Sequence, residues 1–414
     1  MLIQFNFKNY KSFRDEAMLD LTAVDDIKEF SERIVPIGNE KLLPLAAIYG
    51  ANASGKSNVY SAFKYMTDYV KSSLIYDDDD DFIEKSELTP FLFDSVSEKA
   101  ESCFEVFFII PNDPEEKCYN YGFCINHKRV TEEWLNIKTK NSKKYDKIFY
   151  RCSKDSILDL NGLAEDRRIN IKLALDKKVL IVSLGARLKI NECKRVREWF
   201  VTNRFANFAD TIENIFLFSR VPPNFGEDKK IQAKVIDYLS TFDNNIRDFK
   251  VKRINDITKR HDRSYKIKSI HKKIDSSEMA EIPFKEESAG TLKMFALYPD
   301  LQHVLKSGGV FFVDELNARL HPLLVRNFIL TFLNPEINTN HAQLIFTTHD
   351  TWLMKRKFLR GDEIWFTEKD DKGLSSLYSL ADFSDLSDED FETSYLLGEY
   401  GAIPSLTSIK KEDD

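Results

Sequence analysis

Hydrophobic and polar positions alternate at the start of the chain, through Met1-Leu-Ile-Gln-Phe-Asn-Phe7, and again through Ala17-Met-Leu-Asp-Leu-Thr22, with a polar turn at Asn9-Tyr-Lys-Ser12 between them. A period of two predicts a strand, a turn and a second strand over residues 1–24. Leu45-Ala-Ala-Ile-Tyr49 is a short unbroken apolar run, and the residues from Asn58 to Met66 have helical spacing. Two more strand-like runs start at Ser102 and Tyr119, and a third at Thr131 completes an antiparallel group. Between about 165 and 245 the period becomes helical, over Ile169 to Leu184, Lys189 to Phe208 and Ile231 to Phe242. The last third returns to alternation. Val310-Phe-Phe-Val313 and Gln343-Leu-Ile-Phe-Thr347 read as buried strands, and Glu363 to Glu368 with Ser375 to Leu380 as a hairpin around Asp371-Lys-Gly373. No heptad persists and no repeat is present, so long coiled-coil arms are not encoded.

A chain of 414 residues is too long for one core and divides into about two or three lobes. The patterns place the divisions at 1–150, 151–246 and 247–414. A formal charge of −7 argues against wholesale coating of nucleic acid but leaves room for a local basic patch. Residues 247–273 are such a patch, with eleven Lys/Arg against three Asp/Glu. A strand pair facing a nucleic-acid backbone or an acidic partner has this composition, and so has a solvated hairpin. The run Asp77 to Asp81 and the tail Lys411-Glu-Asp-Asp414 read as solvated segments. Five cysteines without C-x-x-C spacing fit a reducing cytoplasm, with Cys118 and Cys124 as small buried thiols. No signal peptide is apparent and no apolar run approaches the ~20 residues of a membrane span. The expected location is the cytoplasm, with no membrane contact.

Four motifs carry the chemistry. Gly50-Ala-Asn-Ala-Ser-Gly-Lys-Ser57 fits the phosphate-binding loop G-x-x-x-x-G-K-[ST] at every fixed position, between a strand and a helix. Backbone N–H groups of Gly50, Asn52, Ala53, Ser54 and Gly55 and the helix start at Asn58 face phosphate. Lys56 reaches the β/γ-phosphates, and Ser57 sits on Mg²⁺. Val310-Phe-Phe-Val-Asp314-Glu315 is a buried strand ending in two acids. Asp314 would hold Mg²⁺ through water, and Glu315 would polarise the attacking water. Thr347-Thr-His349-Asp350 places an imidazole at a strand tip about 35 residues after the acids, where it can sense a γ-phosphate. Finally, Glu287-Ser288-Ala289-Gly290-Thr291 opens a helix with serine and glycine, either a second anion-binding device or a plain N-cap. The economical use of a second phosphate-ready helix end is to cap the nucleotide held by another copy.

In their order along the chain the motifs resemble the ATP-binding-cassette type heads of structural-maintenance-of-chromosomes and recombination-repair ATPases. The resemblance implies an α/β fold, an ABC-type P-loop ATPase head with a mixed sheet and an N-terminal antiparallel β subdomain. It also implies a helical insertion at 151–246, ATP and Mg²⁺, and a trans signature at Ser288, Ala289 and Gly290. Asn9-Tyr-Lys11-Ser12-Phe13 looks like the family's N-terminal segment, which implies nucleotide contacts by Lys11 and Ser12. A narrower resemblance extends over nearly the whole chain. Phe7 to Phe13, Gly50 to Asn58, Glu287 to Thr291, Asp314 to Pro322, Thr348-His-Asp350 and Tyr395 to Pro404 look like the abortive-infection ATPases of bacterial anti-phage operons. The ATPase subunit of the PARIS defence system is similar. That resemblance implies self-association into a dimer or higher oligomer, and a sensor or scaffold role for a separate effector, commonly a nuclease of the TOPRIM fold. A DNA-binding repair-type head, supported by 247–273, is the alternative; a membrane-transport cassette lacks a coupling segment here.

Two positions depart from the broad pattern. No glutamine lies between Gln4 and Gln232, so the residue that takes the role of the glutamine usually completing the Mg²⁺ shell is unidentified. His321 stands where aspartate is usual, as an inter-subunit contact or as a helix-start residue beside Pro322.

Overall fold

The computed structural model describes residues 1–75, 88–111, 113–218, 220–242, 245–254, 264–355, 358–383 and 390–404. The acidic run Asp77 to Asp81, the basic residues Lys259 and Arg260, and the acidic tail lie outside the described residues. The chain enters as two paired strands, β1 (Leu2–Lys8) and β2 (Ala17–Asp20). A small hairpin, β3 (Val35–Ile37) and β4 (Glu40–Leu42), leads into β5 (Leu45–Gly50) and helix α1 (Lys56–Ser72). Five strands follow: β6 (Ser102–Ile109), β7 (Cys118–Ile125), β8 (Val130–Lys138), β9 (Asp146–Cys152) and β10 (Ile157–Asp159). Next come α2 (Glu165–Ala174), α3 (Ile181–Arg187), α4 (Asn191–Thr202), β11 (Arg204–Asn207), α5 (Thr211–Phe218) and α6 (Lys229–Ser240). Three strands, β12 (Ile246–Ile254), β13 (Ser264–Lys272) and β14 (Met279–Pro283), precede α7 (Ala289–Ser307) and β15 (Val310–Asp314). The chain closes with α8 (Pro322–Leu333), β16 (Gln343–Thr347), β17 (Ile364–Lys369), β18 (Ser375–Ser379) and α9 (Phe391–Leu396).

Two large sheets organise the head. One is wholly antiparallel, in the order β10-β9-β8-β7-β6-β1-β2. The other runs β11-β15-β16-β5-β17-β18, parallel except for its last strand. Central parallel strands are buried on both faces, which is why they read as unbroken apolar runs. Alternate residues of β5 and β15 point into different cores. Ala46, Ile48, Val310 and Phe312 pack with α1, α4 and the antiparallel sheet. Leu45, Ala47, Phe311 and Val313 pack with α7 and α8. The fold is mixed α/β, with the strand–loop–helix arrangement of a P-loop ATPase at β5 and α1, and no coiled coil is present among the described residues.

The helical spacing of Lys189 to Phe208 gives way before its end. The helix stops at Thr202, and Asn203 is extended and fully buried, its Oδ1 accepting from the backbone N–H of Val310 at 3.0 Å. The following residues pair with the open edge of β15, a long-range hydrogen-bonding opportunity that outweighs helical spacing. The cysteines also differ from expectation. Register sets Cys103 of β6 directly opposite Cys124 of β7, and the two are disulfide-bonded, while Cys118, Cys152 and Cys193 are buried thiols.

Candidate functional site

The phosphate loop springs from the carboxyl end of β5 and closes on β17 and β18. Gly50 has φ +153°, and a Cβ there would fall 2.4 Å from the Thr367 carbonyl oxygen. Gly55 has φ +121°, and its Cβ would meet Ser375 Oγ at 2.8 Å and the Phe13 ring at 3.0 Å. Both positions therefore need glycine for conformation and for space. Asn52 and Ala53 are exposed at the loop crest, whereas Ser54 is buried with its Oγ 2.6 Å from Thr367 Oγ1. Lys56, also buried, donates back to the Gly50 and Ala51 carbonyls at 3.0 and 3.1 Å. Burial lowers the pKa of its ammonium, and the nearby Glu315 and Asp314 oppose that shift.

Strand β16 lies between β5 and β15, so its tip separates the phosphate loop from the two acids. There Thr347 Oγ1 donates to Asp314 Oδ1 at 2.6 Å and accepts from the Glu315 N–H at 2.8 Å. Asp314 is buried, and its carboxylate also takes a hydrogen bond from the Ser57 side chain. Burial pushes its pKa up, and the bonds from Thr347 and Ser57 pull it down. Ser57 and Asp314 thus bring hydroxyl and carboxylate oxygens to one point at the start of α1. Mg²⁺ takes such oxygen ligands, with water filling the remaining positions. The residues present fit that ion and a nucleotide triphosphate beside it.

Glu315 sits just past β15 with φ +55°, a left-handed conformation uncommon outside glycine. Its half-buried carboxylate lies 3.3 Å from His349 Nε2. That hydrogen bond, with the charges of His349 and Lys56, holds Glu315 below the usual carboxylate range despite burial. Asn317 fixes the other side of this loop, its Oδ1 accepting from Thr348 Oγ1 at 3.0 Å and from the His349 N–H at 3.4 Å. His321 caps α8, its Nδ1 accepting from the Leu323 N–H, and it stays exposed.

The N-terminal turn reaches the same helix. Lys11, at φ +50°, donates from Nζ to Ser61 Oγ of α1 at 3.0 Å. Ser12 is buried, and its Oγ accepts from Asn58 Nδ2 at 2.6 Å and from Ser375 Oγ at 2.7 Å. Ser375 lies within hydrogen-bonding distance of the Ser54 carbonyl as well, at 2.6 Å. The geometry gives Ser12 and Asn58 the work of fastening the turn, the phosphate loop and β18 together. Thr367, Ser375 and Asn317 join the site through pairings distant in sequence, and no local motif marks them. Thr347 does carry a signal, since it ends an apolar strand one residue before Thr348-His349.

Ser288, Ala289 and Gly290 stand apart. Ser288 caps α7, its Oγ accepting from the Thr291 N–H at 3.1 Å, and both Ser288 and Ala289 are exposed. No hydrogen bond among the described residues joins these three to the phosphate loop of the same chain.

Fold and site together define a P-loop ATPase: a glycine loop with lysine and serine, an acid pair on the strand two places away, and a polar strand tip between them. The chain belongs to the family described as "AAA domain, putative AbiEii toxin, Type IV TA system", which matches residues 45–355. Among solved structures it is similar to the crystal structure of the SmcHead bound to the C-winged helix domain of ScpA. Identity is 15% and the TM-score 0.40, over 91% of this chain and 97% of that one. No curated protein matches. No helix among the described residues is long and apolar enough to cross a membrane.

Proposed function

We propose that the protein hydrolyses ATP with Mg²⁺, associates with further copies through its nucleotide sites, and serves as sensor or scaffold for a separate effector in anti-phage defence. One observation carries the reading: the chain has a complete loop-and-acid site and, elsewhere, an exposed signature helix end with no lysine-bearing loop of its own. Asn52, Ala53 and their neighbours would receive the phosphates, with Lys56 released from the Gly50 and Ala51 carbonyls to meet them. Ser57 and, through water, Asp314 would hold Mg²⁺, which would supply positive charge to the phosphates. The hydrogen bond from His349 favours the ionised form of Glu315, and an ionised carboxylate is what orienting and deprotonating a water requires. His349, bonded to Glu315 and exposed on its other side, is placed to sense the γ-phosphate. Ser288, Ala289 and Gly290 of a second copy would close over that phosphate. The defence role and the TOPRIM-like nuclease partner rest on the abortive-infection resemblance, to which the matched family is related by its description.

The test is recovery of tagged Glu315→Gln protein from its native cells with ATP present, with every companion chain identified. The variant should retain ATP and accumulate an assembly carrying a nuclease-like chain. Recovery of the head alone, or with only repair or chromosome proteins, would overturn the effector role.

A further inference from the structure

The three-stranded sheet β12–β13–β14 has two unlike faces. Ser269 and His271 of β13 point inward, where both hydrogen-bond the Glu287 carboxylate, His271 Nε2 at 2.8 Å. By the two-residue period Lys266, Lys268 and Lys272 occupy the opposite face. Register then makes the pattern unusual: Lys250 stands opposite Lys268, and Lys252 opposite Lys266. Like charges directly opposite each other destabilise an antiparallel pair. Glu281 of β14 relieves one rung, bonding both Lys250 and Lys268, and the two lysines hold its pKa at about 2. The Lys252–Lys266 rung has no carboxylate partner among the described residues, and both side chains are exposed. Asp248, another acid near this face, is engaged by Lys229 at 3.3 Å. At the end of the sheet Arg247, Lys272, Lys273 and His271, together with Glu287, line an open pocket of about 520 Å³, with Lys273 paired to Glu278 at 2.6 Å. All this basicity is concentrated on a chain of net charge −7.

We propose that the outer face of this sheet binds the sugar–phosphate backbone of a nucleic acid, and that β13 couples that binding to the signature helix through Glu287. Anionic phosphates across the Lys252–Lys266 rung replace a repulsion with two attractions. Strand geometry spaces the lysines about 7 Å along a strand and about 5 Å between strands, a lattice suited to a repeating anion. An acidic protein partner is the poorer fit. Among the described side chains of the outer face none is aromatic, and the apolar ones are Ile270, Met279 and Pro283, whereas protein interfaces have an apolar and aromatic centre. Lysines on phosphates position a nucleic acid without reading bases, so binding is independent of sequence. On the inner face, movement of β13 acts on Glu287, the residue before Ser288. By linkage, nucleic acid and ATP-dependent pairing then alter each other's affinity. The coupling rests on the pairing proposed above; the binding face does not.

The experiment is fluorescence anisotropy of a labelled mixed-sequence DNA duplex with the full-length protein across a salt series, with polyglutamate as competitor. Lys252→Glu/Lys266→Glu should weaken binding at least about tenfold at low salt and reduce the log–log salt slope by about 2. Lys252→Glu alone creates a cross-strand ion pair with Lys266, so it should weaken binding while keeping the thermal midpoint. Absence of binding by the unsubstituted protein, an unchanged slope, or equal competition by polyglutamate overturns the nucleic-acid site. For the coupling, ATP should shift the duplex affinity of Glu315→Gln, and adding His271→Ala should abolish the shift with the salt slope intact. A shift that survives His271→Ala refutes the link, and a missing shift with normal duplex binding refutes the pairing rather than the binding face.

Discussion

Thr347 is the residue on which the two acids depend. One hydroxyl gives its proton to Asp314 and its lone pair to the Glu315 N–H, so a single atom fixes a buried carboxylate and a left-handed backbone. Thr347→Val keeps the shape and removes both bonds. Leaving such buried groups unpaired costs about 1–3 kcal/mol, so the variant should lose that much in denaturant-measured stability and should bind Mg²⁺–nucleotide more weakly. Thr347→Ser should recover most of both. Equal stability and affinity in Thr347→Val would mean that the acids are positioned by their strand alone.

At the scale of elements, the connection before β17 ties the parallel sheet to the N-terminal lobe. Arg360 is fully buried, pairs with Asp362 at 2.8 Å, and donates to the backbone carbonyls of Ile27 and Glu29. Beside it Glu363 accepts the Arg360 N–H, and burial pushes its carboxyl up to about 8 from an ordinary 4.5. The native state therefore holds a proton there that the unfolded chain has lost. This contribution to stability is complete below about pH 4.5 and disappears as pH rises through about 8, at no more than about 1.4 kcal/mol per pH unit. Glu363→Gln is neutral in both states, so its thermal midpoint should fall less than the unsubstituted protein's between pH 5 and 8. Parallel pH profiles would show Glu363 ionised in the native state.

The elements also divide by how far they could be foreseen. Gly50 to Ser57 is legible because a phosphate loop is built from adjacent residues, and Asp314-Glu315 because a doubly buried strand must end where its neighbours end. The insertion of β16 between β5 and β15 leaves no local trace, nor does the recruitment of Arg204–Asn207 as a strand. Thr367 and Ser375 reach the loop only through sheet pairing. The Cys103–Cys124 bond and the Lys252–Lys266 rung likewise depend on register, which composition does not contain.

For the whole molecule, the decisive feature is that the phosphate loop and the Ser288 helix start, proposed to face the nucleotide of a second copy, share no hydrogen bond among the described residues of one chain. Ser288 caps an exposed helix start, and Glu287 anchors that start to the basic sheet. Ser288→Arg removes the cap and places a bulky cation where a second copy would approach. It should spare ATP binding by the single chain and abolish association. The most direct measurement is the mass in solution of purified Glu315→Gln, by light scattering, with and without Mg²⁺–ATP and with Ser288→Arg added. ATP should convert a smaller species into a dimer or larger assembly, and Ser288→Arg should return it to the smaller mass while nucleotide remains bound. A mass that ignores ATP, or an ATP-dependent assembly untouched by Ser288→Arg, would contradict association through the nucleotide sites.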